Sequence, residues 1–159
     1  MDREKQKMYT ARISQANRSE LVVIIYELML DSIGLAQESL QKDDLEAAVT
    51  ELKRAQGFLG EMRGSLDFQY EISGKLNNLY RYVNEQLAKS IAGRKDVNLD
   101  SCKNVLSGLM KSFEEVARQD TSGPVMENSQ QVYAGLTYGK GSLNEVAVDS
   151  AGQGRDFRV

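Results

Sequence analysis

The chain has 159 residues, 41% hydrophobic and 27% charged, a balance that supplies one domain-sized core and excludes a wholly disordered chain. Its net charge of -3, with no dense Lys/Arg stripe, is wrong for neutralising a run of phosphates, so nucleic acid is not an expected partner. With no histidine and a single cysteine, the usual nucleophilic triads, nitrogen-ligated zinc sites and an internal disulfide cannot be built, and neither catalytic residues nor a metal nor a cofactor is expected.

The start Met1-Asp2-Arg3-Glu4-Lys5 is too charged to lead into a signal-peptide core. No apolar run approaches the roughly 20 residues that cross a bilayer. No membrane insertion is expected, and the cytoplasm is the expected location. The segment Met8 to Ala16 is polar apart from Tyr9 and Ile13, which lie four apart and share one helical face. So short a stretch cannot hold itself as an isolated helix, so the pair is expected to shelter in a groove.

The first long helix opens at Asn17, which can cap orphan N–H groups and has Glu20 three residues later in capping-box position. Leu21, Ile24, Ile25, Leu28 and Leu35 follow helical spacing while Val22, Val23, Met29, Leu30 and Ile33 make the other faces apolar too, the pattern of a central, buried helix. A second helix begins near Asp43, with Glu46 at the capping-box offset. Its stripe is Leu45, Ala48, Val49, Leu52, Ala55, Leu59, Met62 and Leu66. After a turn around Asp67 to Tyr70, a third stripe takes Ile72, Leu76, Leu79, Val83, Leu87 and Ile91 and ends near Gly93, a candidate C-cap. Tyr80 and Tyr82 lie off that stripe. The fourth helix opens after Asp96 or Asn98 and runs through Leu99, Cys102, Val105, Leu106, Leu109, Phe113 and Val116, which makes Cys102 a small buried hydrophobe.

Four such segments on short connections pack antiparallel with their neighbours, so the expected fold is all-α, an antiparallel up-and-down four-helix bundle with a short N-terminal segment. Composition shifts near residue 119, since six of the 13 glycines and the only proline lie in the last 41 residues. The expected domains are therefore a helical bundle over 1–118 and a Gly-rich, disordered tail over 119–159, with a minority reading in which Tyr133 to Leu143 order against a partner or the bundle.

Acidic pairs such as Asp43-Asp44 and Glu114-Glu115 fall at a helix start or on a polar face, where capping or solvation accounts for them. A carboxylate-based enzyme would need two inward carboxylates beside a cavity, and nothing points to that. The positive signal is a surplus of apolar residues, the material from which grooves for amphipathic partner segments are built.

Three stretches carry a resemblance to a known family. Ala16-Asn17-Arg18-Ser19-Glu20-Leu21 and the apolar run to Tyr26-Glu27 look like Ala-Ser-Pro-x-Glu-Leu, an apolar run and Tyr-Asp. Arg54-Ala55-Gln56, Phe58-Leu59, Glu61-Met62 and Ser65-Leu66-Asp67 are similar to a Lys-Ala-Gln helix closing on Ser-Leu-Asp, and Leu76-Asn77-Asn78-Leu79-Tyr80-Arg81-Tyr82 resembles Asn-Leu-x-x-Leu-Tyr-Asp-Tyr. Over about residues 9 to 118 the chain thus resembles the FliS-type flagellar export chaperones, departing from them at Asn17-Arg18, Lys75 and Phe113.

The resemblance implies a flagellar secretion chaperone, not an enzyme, that binds the disordered C-terminal segment of flagellin, prevents premature polymerisation and keeps it export-competent. It further implies an N-terminal segment that acts as a movable cover. The expected partner-binding residues are Tyr9 and Ile13, with which flagellin competes, and Leu59, Met62, Leu79, Tyr80 and Tyr82 as groove residues. Components of the export apparatus are a second class of partner. The alternative is a helical adaptor or secretion chaperone for a different protein client. Limited proteolysis should remove the chain beyond about residue 119 first and leave a folded helical core; early cleavage inside the four predicted helices would refute that boundary.

Overall fold

A computed structural model describes residues 2–125, and within them the chain forms five α-helices and no strand. They are α1 (Arg3–Gln15), α2 (Arg18–Gln41), α3 (Leu45–Gly64), α4 (Glu71–Gly93) and α5 (Leu99–Gln119). The all-α class is as expected, but the helix count is corrected from four to five. The addition is α1, which turns the short N-terminal segment into a regular helix of 13 residues. Asp2 starts it, its side chain accepting a hydrogen bond from the Lys5 N–H at 2.8 Å. No helix among the described residues is long and apolar enough to cross a membrane. The expectation for Tyr133 to Leu143 lies outside the described residues, as does most of the 119–159 segment.

The chain divides into two compact units, residues 26–109 in one, and residues up to Ile25 together with those from Met110 on in the other. In the 26–109 unit the core is built from Tyr26, Leu28, Met29 and Ile33 of α2, the α3 stripe Ala48, Leu52, Ala55, Leu59 and Met62, Tyr80, Val83 and Leu87 of α4, and Leu99, Cys102 and Leu106 of α5. α3 packs on α4. Gln56 meets Asn84, and Arg63 lines the same depression as Asn78 and Arg81, so the two helices run in opposite directions. Burial of Cys102 is complete and pushes its thiol up to about 11, so it behaves as a small hydrophobe and not as a nucleophile.

Three non-glycine residues close the turns in left-handed conformation: Asp43 (φ 58°), Arg94 (φ 49°) and Asn98 (φ 55°). Asp43 sits where α2 ends, with its N–H on the Leu40 carbonyl at 3.1 Å and the Asp44 N–H on the Ser39 carbonyl at 2.8 Å, a Schellman arrangement. The α3 cap is consequently Asp44, not Asp43, its carboxylate accepting from the Ala47 N–H at 3.2 Å. At the end of α4 the left-handed residue is Arg94, one past the expected Gly93. Asp96 caps α5 by accepting from the Leu99 N–H at 3.0 Å.

In the other unit, Asn17 and Glu20 form a reciprocal capping box. The Asn17 side-chain oxygen accepts from the Glu20 N–H at 2.9 Å and the Glu20 carboxylate accepts from the Asn17 N–H at 3.2 Å. The Asn17 amide has a second use. Its Nδ2 donates to the carbonyls of Asp120 (3.2 Å) and Ser122 (3.3 Å) in the segment that follows α5. The Ser19 hydroxyl donates to the Asp120 carboxylate at 2.6 Å, and the Val125 N–H donates to the Ala16 carbonyl at 3.0 Å. Residues 120–125 thus form a strap across the α1–α2 junction, where Ala16 and Asn17 are both buried.

Hydrogen bonds from Ser122 and Ser19 hold the Asp120 carboxyl at about 2, down from an ordinary 3.8. A carboxyl depressed on folding stabilises above its unfolded value and loses that contribution as pH falls through the folded one. The strap should therefore be intact above about pH 4 and loosen as pH falls from about 4 to about 2. Titration of the Asp120 carboxyl by NMR, with the Ser122 and Val125 amide signals followed in parallel, checks this; an ordinary carboxyl midpoint would refute the bonding.

Candidate functional site

α1 is polar along most of its length and encloses only Tyr9 and Ile13 among its large side chains, at 3% and 1% exposure. The spacing of four places both on one face, and the Arg12 guanidinium lies 5.7 Å from the Tyr9 ring centroid, a cation–π contact one turn along. Burying a side chain of this size contributes roughly 1.5–3 kcal/mol. Helices shorter than about 12–15 residues are marginal alone, so the burial of these two side chains contributes to keeping α1 docked. Tyr9 and Ile13 are enclosed rather than open to solvent.

The other five residues, from α3 and α4, do not form one open surface. Leu59 and Met62 point into the core at 1% and 5% exposure. Tyr80 is completely enclosed, its hydroxyl hydrogen-bonded to that of Tyr26, with ring centroids 6.5 Å apart and the planes tilted by 44°. Burial raises both tyrosine hydroxyls, that of Tyr26 far above its ordinary value, so the pair stays neutral at any ordinary pH. Tyr82 is half-buried and its hydroxyl bonds the Ser101 hydroxyl at 2.8 Å, tying α4 to α5. Of the five, Leu79 is the open one, at 38%.

The expected α4 stripe holds at Val83 and Leu87 and fails at its N-terminal end. Its buried face is Ser73, Tyr80, Val83, Gln86, Leu87 and Ser90, whereas Ile72 is 59% exposed. The polar members of that face are used. Ser90 accepts from the Val97 N–H at 3.0 Å, and the Gln86 side chain accepts from Asn98 Nδ2 at 2.9 Å, so α4 holds the connection into α5. Among the described residues no buried side-chain nitrogen or oxygen lacks a partner.

Apolar side chains are left outside. Phe68 (63%), Tyr70 (62%), Ile72 and Leu79 follow one another from the α3–α4 connection into α4. Sequence reasoning treated Phe68 and Tyr70 as turn residues. The available signal was two aromatics in a six-residue connection that had no need of them. A depression of about 580 Å³ is lined by Arg63, Asn78, Arg81, Tyr82, Asn84 and Glu85. It has no nucleophile and no pair of buried carboxylates. No cluster of His, Cys, Asp or Glu among the described residues could hold a metal ion. What the arrangement offers is a set of exposed apolar side chains from Phe68 to Leu79 and a depression lined by polar ones.

The model of the family described as flagellar protein FliS matches residues 1–120. The flagellar secretion chaperone FliS of Bacillus subtilis (strain 168) is similar to this chain, 28% identical over 89 residues, which cover 54% of this chain and 67% of that protein.

Tyr80→Phe should keep the fold and lower stability by about 1 kcal/mol, the net value of one buried hydrogen bond, while Tyr80→Asp should prevent folding by placing a charge in the core. Leu79→Asp should be nearly neutral. Urea unfolding of the three variants checks the order; a folded, stable Tyr80→Asp would place Tyr80 on an open surface instead.

Proposed function

Because the chain belongs to the flagellar protein FliS family, we propose that it is a flagellar secretion chaperone whose client is flagellin, held by its C-terminal segment so that it neither polymerises early nor loses competence for export. Its expected place of work is the cytoplasm. Components of the export apparatus are the second class of partner. The observation that carries the reading is the pairing of two features. One helix is docked by two apolar side chains, Tyr9 and Ile13, and an apolar strip is already open at Phe68, Tyr70, Ile72 and Leu79.

The client competes with Tyr9 and Ile13 for burial and, of the expected groove residues Leu59, Met62, Leu79, Tyr80 and Tyr82, draws its contacts from the accessible ones. Leu79 and Tyr82 are the members a partner reaches first, since Leu59, Met62 and Tyr80 are enclosed. Amphipathic, disordered segments bind such surfaces by burying their apolar face at the cost of ordering themselves. No nucleotide or metal is needed for that.

Calorimetry with the flagellin C-terminal segment tests the reading in three proteins. Tyr9→Ala with Ile13→Ala should bind as tightly as wild type or tighter, because the client no longer displaces a docked helix. Leu79→Asp should weaken binding by about fivefold or more, as expected for a charge buried without a partner. Unweakened Leu79→Asp would move the groove elsewhere. Absence of binding to the unaltered protein would transfer the reading to a different protein client.

A further inference from the structure

We infer that residues 120–125 are a latch on α1: by bonding the α1–α2 junction they hold the N-terminal helix in its docked position, and their release frees it. Four hydrogen bonds connect the two places across about a hundred residues of chain, from Asn17 Nδ2 to the carbonyls of Asp120 and Ser122, from Ser19 to the Asp120 carboxylate, and from the Val125 N–H to the Ala16 carbonyl. The carboxylate is itself preset for this. Its other oxygen accepts from both the backbone N–H and the hydroxyl of Ser122, which closes a tight turn just beyond α5 and aims the strap at the junction.

The junction is where leverage on α1 is greatest. Ala16 is extended (φ -74°, ψ 135°), so the chain there is neither the end of α1 nor the start of α2. Its one backbone carbonyl and the side chain of its neighbour are both held by the strap. α1 cannot pivot about Ala16 and Asn17 without breaking those bonds. Tyr9 and Ile13 are the large side chains that α1 encloses, so the bonds at the junction are a substantial share of what resists its displacement. α2 does not share this dependence, because the Asn17–Glu20 capping box closes its first turn locally.

Asn17 separates the two jobs chemically. The side-chain oxygen caps α2 and the side-chain nitrogen grips the strap. Asp in its place keeps a capping oxygen of equal quality but replaces the donor with an anion, facing two carbonyls and close to the Asp120 carboxylate. The latch should open with α2 still capped. The strap also extends past the residues matched by the family model, which end at 120, and the chain continues for 34 residues beyond Val125 (159 minus 125). A load on that continuation would therefore be felt first at the latch.

The experiment is amide hydrogen exchange on the full-length protein, comparing wild type, Asn17→Asp, Ser19→Ala and a chain ending at Gln119. Circular dichroism melting of each confirms that the helices remain. In Asn17→Asp and the truncated chain, exchange at Tyr9 to Ile13 should quicken by about tenfold, the ratio expected when one or two net hydrogen bonds stop opposing a local opening. Ser19→Ala should give a smaller increase, and the amides of α3 and α4 should not change. Unaltered exchange at Tyr9 to Ile13 in the truncated chain would overturn the latch, since that variant removes the strap without touching the junction. The inference reaches function only through the reading of α1 as a cover, and calorimetry separates the two. Faster α1 exchange with tighter flagellin binding supports both. Faster exchange with unaltered binding keeps the latch and refutes the cover.

Discussion

The bond between the Tyr26 and Tyr80 hydroxyls sets the roll of α4, and much of what the molecule exposes follows from it. Side chains advance about 100° per residue around a helix, so enclosing Tyr80 carries Val83 and Leu87, three and seven residues on, to the inside as well. Ser73, seven residues earlier, goes with them. Ile72 and Leu79, each one residue before a buried position, are turned toward the edge and out. The same roll brings Gln86 and Ser90 to where the chain from Arg94 to Asn98 passes, and both are hydrogen-bonded to it. A buried polar group without such a partner would cost about 1–3 kcal/mol. Two tyrosines bonded to each other therefore fix the helix rotation, the anchoring of the next connection and the open apolar strip.

What could be read in advance depended on how local its cause was. The Asn17–Glu20 capping box was legible because both partners lie within one turn. The α3 stripe of Ala48, Leu52, Ala55, Leu59 and Met62 was legible because no rival set of apolar residues competes with it. α4 was not. Ile72, Leu76 and Leu79 make as good a stripe as Ser73, Tyr80 and Gln86, and the choice between them is made by Tyr26, 54 residues away, and by the backbone at Val97. Turn residues failed for a related reason. Glycine marks left-handed positions only statistically, and here Asp43 and Arg94 take them, each fixed by where its helix has to end.

The candidate site was legible in parts that correspond to this division. Tyr9 and Ile13 could be singled out because they are the apolar pair on a polar stretch, and both are enclosed. Leu79 stands both in the expected α4 stripe and among the expected groove residues, and it is the open one of the five. Phe68 and Tyr70 were passed over, since a turn assignment gives no hint that its side chains stay outside. The strap was illegible altogether. Asp120, Ser122 and Val125 sit in the segment where composition signals only loop, and nothing in their spacing points to Asn17 and Ala16.

Contacts that hold α1 are of two kinds, and the difference decides how it can come away. Tyr9 and Ile13 are held by burial, which is non-directional and can be supplied by any apolar side chain of about the right size. Ala16 and Asn17 are held by directed hydrogen bonds, which an apolar competitor cannot supply. A partner segment that takes the place of Tyr9 and Ile13 thus offsets the first kind of contact in full and leaves the second untouched. Since α1 cannot pivot about Ala16 and Asn17 without breaking those bonds, the strap still opposes its displacement. With the strap open, that opposition is gone, and α1 is left to the enclosure of Tyr9 and Ile13 and its remaining side-chain contacts. α1 is thus held both by enclosure, which another apolar side chain could replace, and by directed bonds, which it could not.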